Sequence, residues 1–199
     1  MTLLRGRAEG GGAACHAPRM RRSLAMVVLV LVALVAAGAT AQSAVVPSTL
    51  PGAWRYPHPD AHGIAIVRAA IEPHLANLPP LVGPIVRARL EERTRIVRRI
   101  EIATNGPNVR VTSFGERTFV VDTPLGVPTP MTSPEGRAIT TTQRITHGWL
   151  EQVFRGENGD MRVLYSTEPD GRTMHVDVTL TSERLSSPIR YRLDYVPEN

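Results

Sequence analysis

Residues 144–195 read RITHGWLEQVFRGENGDMRVLYSTEPDGRTMHVDVTLTSERLSSPIRYRLDY, and the rhythm of turn signals in this stretch decides the fold. Gly, Pro, Asn and Ser gather at 146–148, 156–159, 168–171 and 181–188, leaving strand-length segments between them. In TMHVDVTL, Met174, Val176, Val178 and Leu180 alternate with Thr173, His175, Asp177 and Thr179. Ile189, Tyr191, Leu193 and Tyr195 alternate in the same way with Arg190, Arg192 and Asp194. A period of two with one apolar side gives each strand a buried face and a wet face. The stretch therefore predicts an antiparallel meander wrapped around a core.

Upstream, strand signals continue back to residue 96. Ile100 and Ile102 alternate with Arg99 and Glu101 in 96–103, and Asn105, Gly106 and Pro107 turn the chain. Segments 109–114 and 118–121 read as a hairpin around Gly115 and Glu116, 122–137 as a long proline-rich loop, and 138–146 as a strand rich in Thr and Ile. Before residue 96 the period changes. AHGIAIVRAAIEPHLAN, from Ala61, predicts a helix with Ile64, Val67, Ala70, Ile71 and Leu75 on one side, Asp60 as N-cap, and Pro73 kinking or ending it. Leu78, Pro79 and Pro80 make a turn, and a second helix over 81–93 sets Leu81, Val82, Ile85, Val86 and Ala88 against Arg87, Arg89, Glu91 and Glu92, with Pro84 in its first turn. Trp54 and Tyr56 fall in a short first strand ended by Pro57 and Pro59. The fold class is mainly β: a helix-turn-helix followed by an antiparallel meander of about eight to ten strands closing into a barrel or half-barrel.

The N-terminus carries an address. The run LAMVVLVLVALVAA at 24–37 follows Arg19, Arg21 and Arg22 and leads to a small-x-small site at Ala39 and Ala41. Basic, apolar and cleavage regions in that order make a secretory signal peptide over 1–41, with Gln42 as the first mature residue. The alternative is an uncleaved membrane anchor over 24–41, since about 20 apolar residues span a bilayer. Both leave the domain outside the cytoplasm. Residues 1–19 exceed what such a leader needs, so either Met1 or Met20 is the start. Segment 42–49 is a linker and 50–199 the single β-barrel-like domain.

Removing the leader changes the charge. Of 23 basic residues and 18 acids, residues 1–41 hold five Arg and one Glu, leaving 18 and 17 in the domain. Apart from RIVRR at 95–99 there is no basic stripe, which argues against a nucleic-acid partner. Cys15 is the only cysteine and precedes the apolar run, so the mature chain has no disulfide and no cysteine metal ligand. No cofactor is implied and no phosphate-cradling loop is present. His58, His62 and His74 could share a zinc ion at helical spacing, but Pro59 puts the first in a loop. His175 and Asp177 share a strand face, the wet one, without a nucleophile beside them. The expectation is a non-enzyme.

Strand, helix-turn-helix and antiparallel meander, in that order, resemble the fatty-acid-binding proteins, and Gly52-Ala53-Trp54 resembles the G-x-W of lipocalins. Both are calycins, closed barrels that hold an apolar small molecule. The cadence W…DGxT…SxRL…YRLxY (Trp149, 170–173, 182–185, 191–195) is also similar to bacterial exported proteins of unassigned function. The resemblance implies that Arg192 packs across Trp54 to close one barrel end. It also implies an Arg-x-Tyr carboxylate anchor on the last strand, from which this chain departs, because Arg190 and Arg192 alternate with Tyr191 and Tyr195. Candidate lining residues are Ile100, Ile102, Val111, Ile145, Phe154, Val163, Tyr165, Val176, Val178, Tyr191 and Tyr195, with Gln143 and Gln152 as polar anchors for a small hydrophobic molecule. The alternative is an envelope-associated structural or interaction domain with a filled core and no ligand. Cavity volume separates the two.

Overall fold

The computed structural model describes residues 46–76 and 83–198. Cys15, Met20, the apolar run 24–41 with Ala39 and Ala41, and the turn at 77–82 lie outside the described residues. Among the described residues no helix is long and apolar enough to cross a membrane.

A short strand β1 (Gly52–Arg55) precedes two helices, α1 (Asp60–Leu75) and α2 (Gly83–Arg93). The meander follows as β2 (Arg99–Asn105), β3 (Asn108–Phe114), β4 (Thr118–Pro124), β5 (Thr129–Thr132), β6 (Ala138–Thr146), β7 (Trp149–Gly156), β8 (Gly159–Thr167), β9 (Met174–Thr181) and β10 (Ile189–Pro197). All strand pairings are antiparallel, in the order β4-β3-β2-β1-β10-β9-β8-β7-β6-β5, and the sheet curls into a nearly closed barrel. β1 lies between the two ends of the meander, pairing Trp54 with Ile100 of β2 and with Pro197 of β10. The first and last strands of the chain are thereby stitched together.

The predicted alternation holds along β9 and β10. Met174, Val176, Val178 and Leu180 are buried while the residues between them are half-buried, and on β10 Ile189, Leu193 and Tyr195 are buried against exposed Arg190, Arg192 and Asp194. One expectation for the sheet needs correction here. The loop assigned to 122–137 contains the end of β4 and all of β5, despite Pro124 and Pro130. Both strands are sheet edges, and an edge strand has one side on which a missing N–H costs nothing.

Helix α1 also differs in detail. Pro59, not Asp60, occupies the N-cap position and makes no side-chain cap, while the Asp60 carboxylate takes the Arg98 guanidinium at 3.0 Å. The buried stripe is Gly63, Val67, Ile71 and Leu75, four apart, and Ile64 is 40% exposed. Gly63 faces inward because a Cβ there would lie 2.8 Å from Ile96 Cδ1 and 3.1 Å from the Tyr56 hydroxyl. Only a bare α-carbon lets the helix approach that closely. The helix runs through Pro73 to Leu75. In α2, Ile85 points to solvent, whereas Val86 and Leu90 pack against the core. Arg68 with Glu91, and Arg87 with Glu72, pair the two helices to each other.

The outer face of the barrel carries one buried charge. Glu151, on the outward side of β7, is fully buried beneath Arg144 of β6 and Arg162 of β8, which both donate to its carboxylate. Burial pushes this carboxyl up, but the two guanidinium hydrogen bonds outweigh that and hold it below the ordinary glutamate value. A depressed folded pKa stabilises the fold above the unfolded pKa, and that stability is lost as pH falls through the folded value. Glu151→Gln should therefore cost about 1–2 kcal/mol at neutral pH and flatten the acid limb of a urea-denaturation pH profile. Backbone geometry sets a second test at the β7–β8 turn. Gly159 has φ of +124°, and a Cβ there would meet the Thr181 carbonyl oxygen at 2.1 Å. Gly159→Ala should lower the unfolding free energy by about 2 kcal/mol or more, measured by the same denaturation.

Candidate functional site

The barrel is packed at one end and open at the other. At the end of the β2–β3 and β6–β7 turns, Leu50, Trp54, Ile102, Val109, Leu150 and Met174 fill the interior, each at most 3% exposed. Above them lies a cavity of about 630 Å³. Its mouth is framed by the β3–β4, β5–β6, β7–β8 and β9–β10 turns, together with Leu90 of α2 and the segment leading into β2.

Ile100, Gln152, Phe154, Val163, Tyr165, Val176, Val178, Tyr191 and Tyr195 meet in this cavity. Ile102, Val111, Gln143 and Ile145 do not line it. They sit on the inward face, as alternation demands, but toward the packed end, where Ile102, Val111 and Gln143 are buried and Ile145 is half-buried against the core. Alternation assigns a face and says nothing of height along the barrel axis. Sequence reasoning missed Phe119 and Val121 of β4, Ile139, Met161, Leu180 and Leu193, all of which line the cavity. The alternation of the last four with polar neighbours was visible in the sequence. Leu185, in the β9–β10 turn, and Ile96 and Val97, before β2, gave no periodic signal.

A chain of buried hydrogen bonds forms the polar floor. The Tyr165 hydroxyl donates to Gln152 Oε1 at 2.9 Å, and Gln152 Nε2 donates to Gln143 Oε1 at 2.9 Å. Gln143 Nε2 then donates to Thr123 Oγ1 at 2.9 Å and to the Val109 carbonyl at 2.6 Å. The two glutamines are therefore anchored to the protein, and Gln143 is wholly consumed by it. Register places Gln143, Gln152, Val163, Val178 and Tyr191 in one row across β6 to β10. The Tyr195 hydroxyl donates to the Val97 carbonyl at 2.7 Å. The Tyr191 hydroxyl has no hydrogen-bond partner among the described residues and opens on the cavity. Burial raises all three phenols above the ordinary tyrosine value, so they stay neutral.

Charge is confined to the mouth and the outside. Arg95 pairs with Glu116 at the rim, and Arg117 donates to the Pro134 carbonyl at 2.6 Å, tying the β3–β4 turn to the β5–β6 turn. Arg192 does not lie over Trp54, as the resemblance implied. It grips Asp177 on the outer face through Nε at 2.8 Å and a terminal nitrogen at 2.9 Å, its cross-strand partner in register. Trp54 is held instead by its own Nε1, which donates to the Leu50 carbonyl at 3.0 Å. His175 and Asp177 do not bond to each other: His175 Nδ1 meets Asp194 at 2.7 Å. The rings of His58 and His62 lie with centroids 4.4 Å apart at a tilt of 44°, with His62 Nδ1 2.8 Å from the Tyr56 hydroxyl. Among the described residues no group of three His, Cys, Asp or Glu is placed to hold a metal.

No family model matches the sequence, and no curated protein matches it significantly. Solved structures do resemble the fold. A Schistosoma mansoni fatty acid binding protein in complex with arachidonic acid superposes with a TM-score of 0.51 at 11% identity, over 78% of this chain and 100% of that one. A secretary abundant heat soluble protein from Ramazzottius varieornatus gives 0.52 at 12% identity, over 75% and 96%. At these identities the likeness speaks for the fold alone: the chain has the calycin-like barrel of the fatty-acid-binding proteins.

Proposed function

We propose that this chain is a non-catalytic carrier of a small hydrophobic molecule, held inside the barrel, and that it works outside the cytoplasm. The observation that carries the first half is the cavity. A volume of about 630 Å³ falls in the range of about 300–1,000 Å³ occupied by small-molecule sites, and its depth is lined by aliphatic and aromatic side chains with a few fixed polar groups. A structural domain with a filled core would have no such space. The fatty acid binding protein from Schistosoma, which shares this barrel fold, is in complex with arachidonic acid, and that supports a hydrophobic occupant here. Among the described residues no charged group lies in the cavity floor and no histidine lines the cavity, which supports binding rather than chemistry as the use of the interior.

The second half rests on the leader, with its basic flank, apolar run at 24–37 and Ala39–Ala41 site. Any membrane association runs through that segment. Expression in a bacterial host should yield a mature protein whose N-terminal sequence begins at Gln42; recovery of the intact leader in the membrane fraction would favour the anchor instead.

Carriage has its own test. Solvent extraction and mass spectrometry of the purified protein should recover a lipophilic molecule, and the delipidated protein should bind Nile red at about one per chain. Val178→Trp, which fills the cavity from β9, should weaken Nile red at least tenfold while shifting the melting temperature by only a few degrees. Undiminished binding by that variant would place the dye on the surface and remove the carrier reading.

A further inference from the structure

Resting on the carrier reading, we infer that the interior selects a neutral amphiphile, a long-chain alcohol, ketone or ester, and discriminates against the free carboxylic acid of the same chain. The polar groups that the strands turn into the cavity are Ser113, Gln152, Tyr165, Tyr191 and Tyr195, all uncharged. Gln152 and Tyr165 are engaged with each other and with Gln143. Tyr191 presents the one cavity phenol with no bonded partner among the described residues, on the same inward row as Gln152. A hydroxyl of this kind donates to a carbonyl or alcohol oxygen and accepts from an alcohol proton. It cannot neutralise an anion. An ionised carboxylate brought into this depth would lose its water and gain no cation, which is the costly case for a buried charge.

The arginines that could have supplied that cation are turned away. Arg190 and Arg192 flank Tyr191 in sequence and therefore lie on the outer face, where Arg192 is fully occupied by Asp177. At the mouth the lining carries three arginines against four carboxylates: Arg95 is paired with Glu116, Arg117 donates to the Pro134 carbonyl, and Arg137 sits on the β5–β6 turn, so these cations stand at the rim rather than on the row of Tyr191.

Competition against Nile red on the delipidated protein at neutral pH tests this with one chain length: dodecane, lauryl alcohol, methyl laurate and laurate. Lauryl alcohol should bind at least about tenfold more tightly than laurate. Tyr191→Phe should weaken the alcohol and the ester about three- to tenfold and leave dodecane unchanged. Laurate competing as well as the alcohol would overturn the inference while leaving the carrier reading standing, as would a Tyr191→Phe protein that binds the alcohol and the ester as tightly as the native chain does. Failure of all four to displace Nile red would overturn both. Should Tyr191→Phe not fold, the alcohol-to-acid ratio on the native chain decides.

Discussion

Closing a curled sheet whose two edges never pair is the constraint on which the rest of this molecule depends. β4 and β5 follow one another in sequence and stand at opposite ends of the strand order. The seam between them is bridged by the Gln143 amide, which reaches from β6 to Thr123 of β4 and to the Val109 carbonyl of β3, with the Gly126 N–H meeting the Gln143 carbonyl from the other side at 2.6 Å. Both donors and the acceptor of this side chain are used. A leucine of similar size would leave buried acceptors unpaired, each costing about 1–3 kcal/mol. Because Gln152 and Tyr165 hang from the same amide, the device that closes the wall also fixes the floor of the cavity.

Packing then divides the interior. At the end of the β2–β3 and β6–β7 turns, Leu50, Trp54 and the inward residues of β2, β3 and β7 pack together, and that end fills. At the other end the chain makes room. The β9–β10 connection is long, and the helices are inserted between β1 and β2, reaching the mouth through Leu90. Gly63 seats α1 against Tyr56 and Ile96 at the edge of this opening, and the Tyr195 hydroxyl binds the Val97 carbonyl nearby. A core of this size would ordinarily close on itself. Here the wall is held by the ladder and the seam, so the space above the packed end stays open.

Much of this was legible in the chain. The period of two from residue 174 to 195 gave strands, faces and the inward tyrosines, because alternation across a pleat is a local property. The missed strand β5 shows where local reading stops: prolines that forbid a central strand are harmless on an edge, and edge status is known only once the whole sheet is assembled. Ile64 was misjudged for a related reason, since helical spacing admits two neighbouring stripes and the chosen one depended on how closely Gly63 allows the helix to dock. Gln143 was read as an anchor for a ligand. Nothing in its sequence neighbourhood distinguishes a glutamine that binds a guest from one that binds the wall.

The last strand carries the sharpest consequence of register. Arginine and tyrosine both appear on it, and a shift of one residue would exchange their faces. In the register observed, Arg192 clamps β10 to β9 through Asp177, and Asp194 clamps it through His175, while Tyr191, Leu193 and Tyr195 face the cavity. The same alternation buries Glu151 under two arginines on the outer face of β7. Charge is therefore spent on holding strands together from outside, and neutrality inside follows from the phase of the strands rather than from a shortage of charged residues. A shift of one residue in the register of β10 would carry Arg190 and Arg192 to the inner face; in the register observed the outer face keeps both.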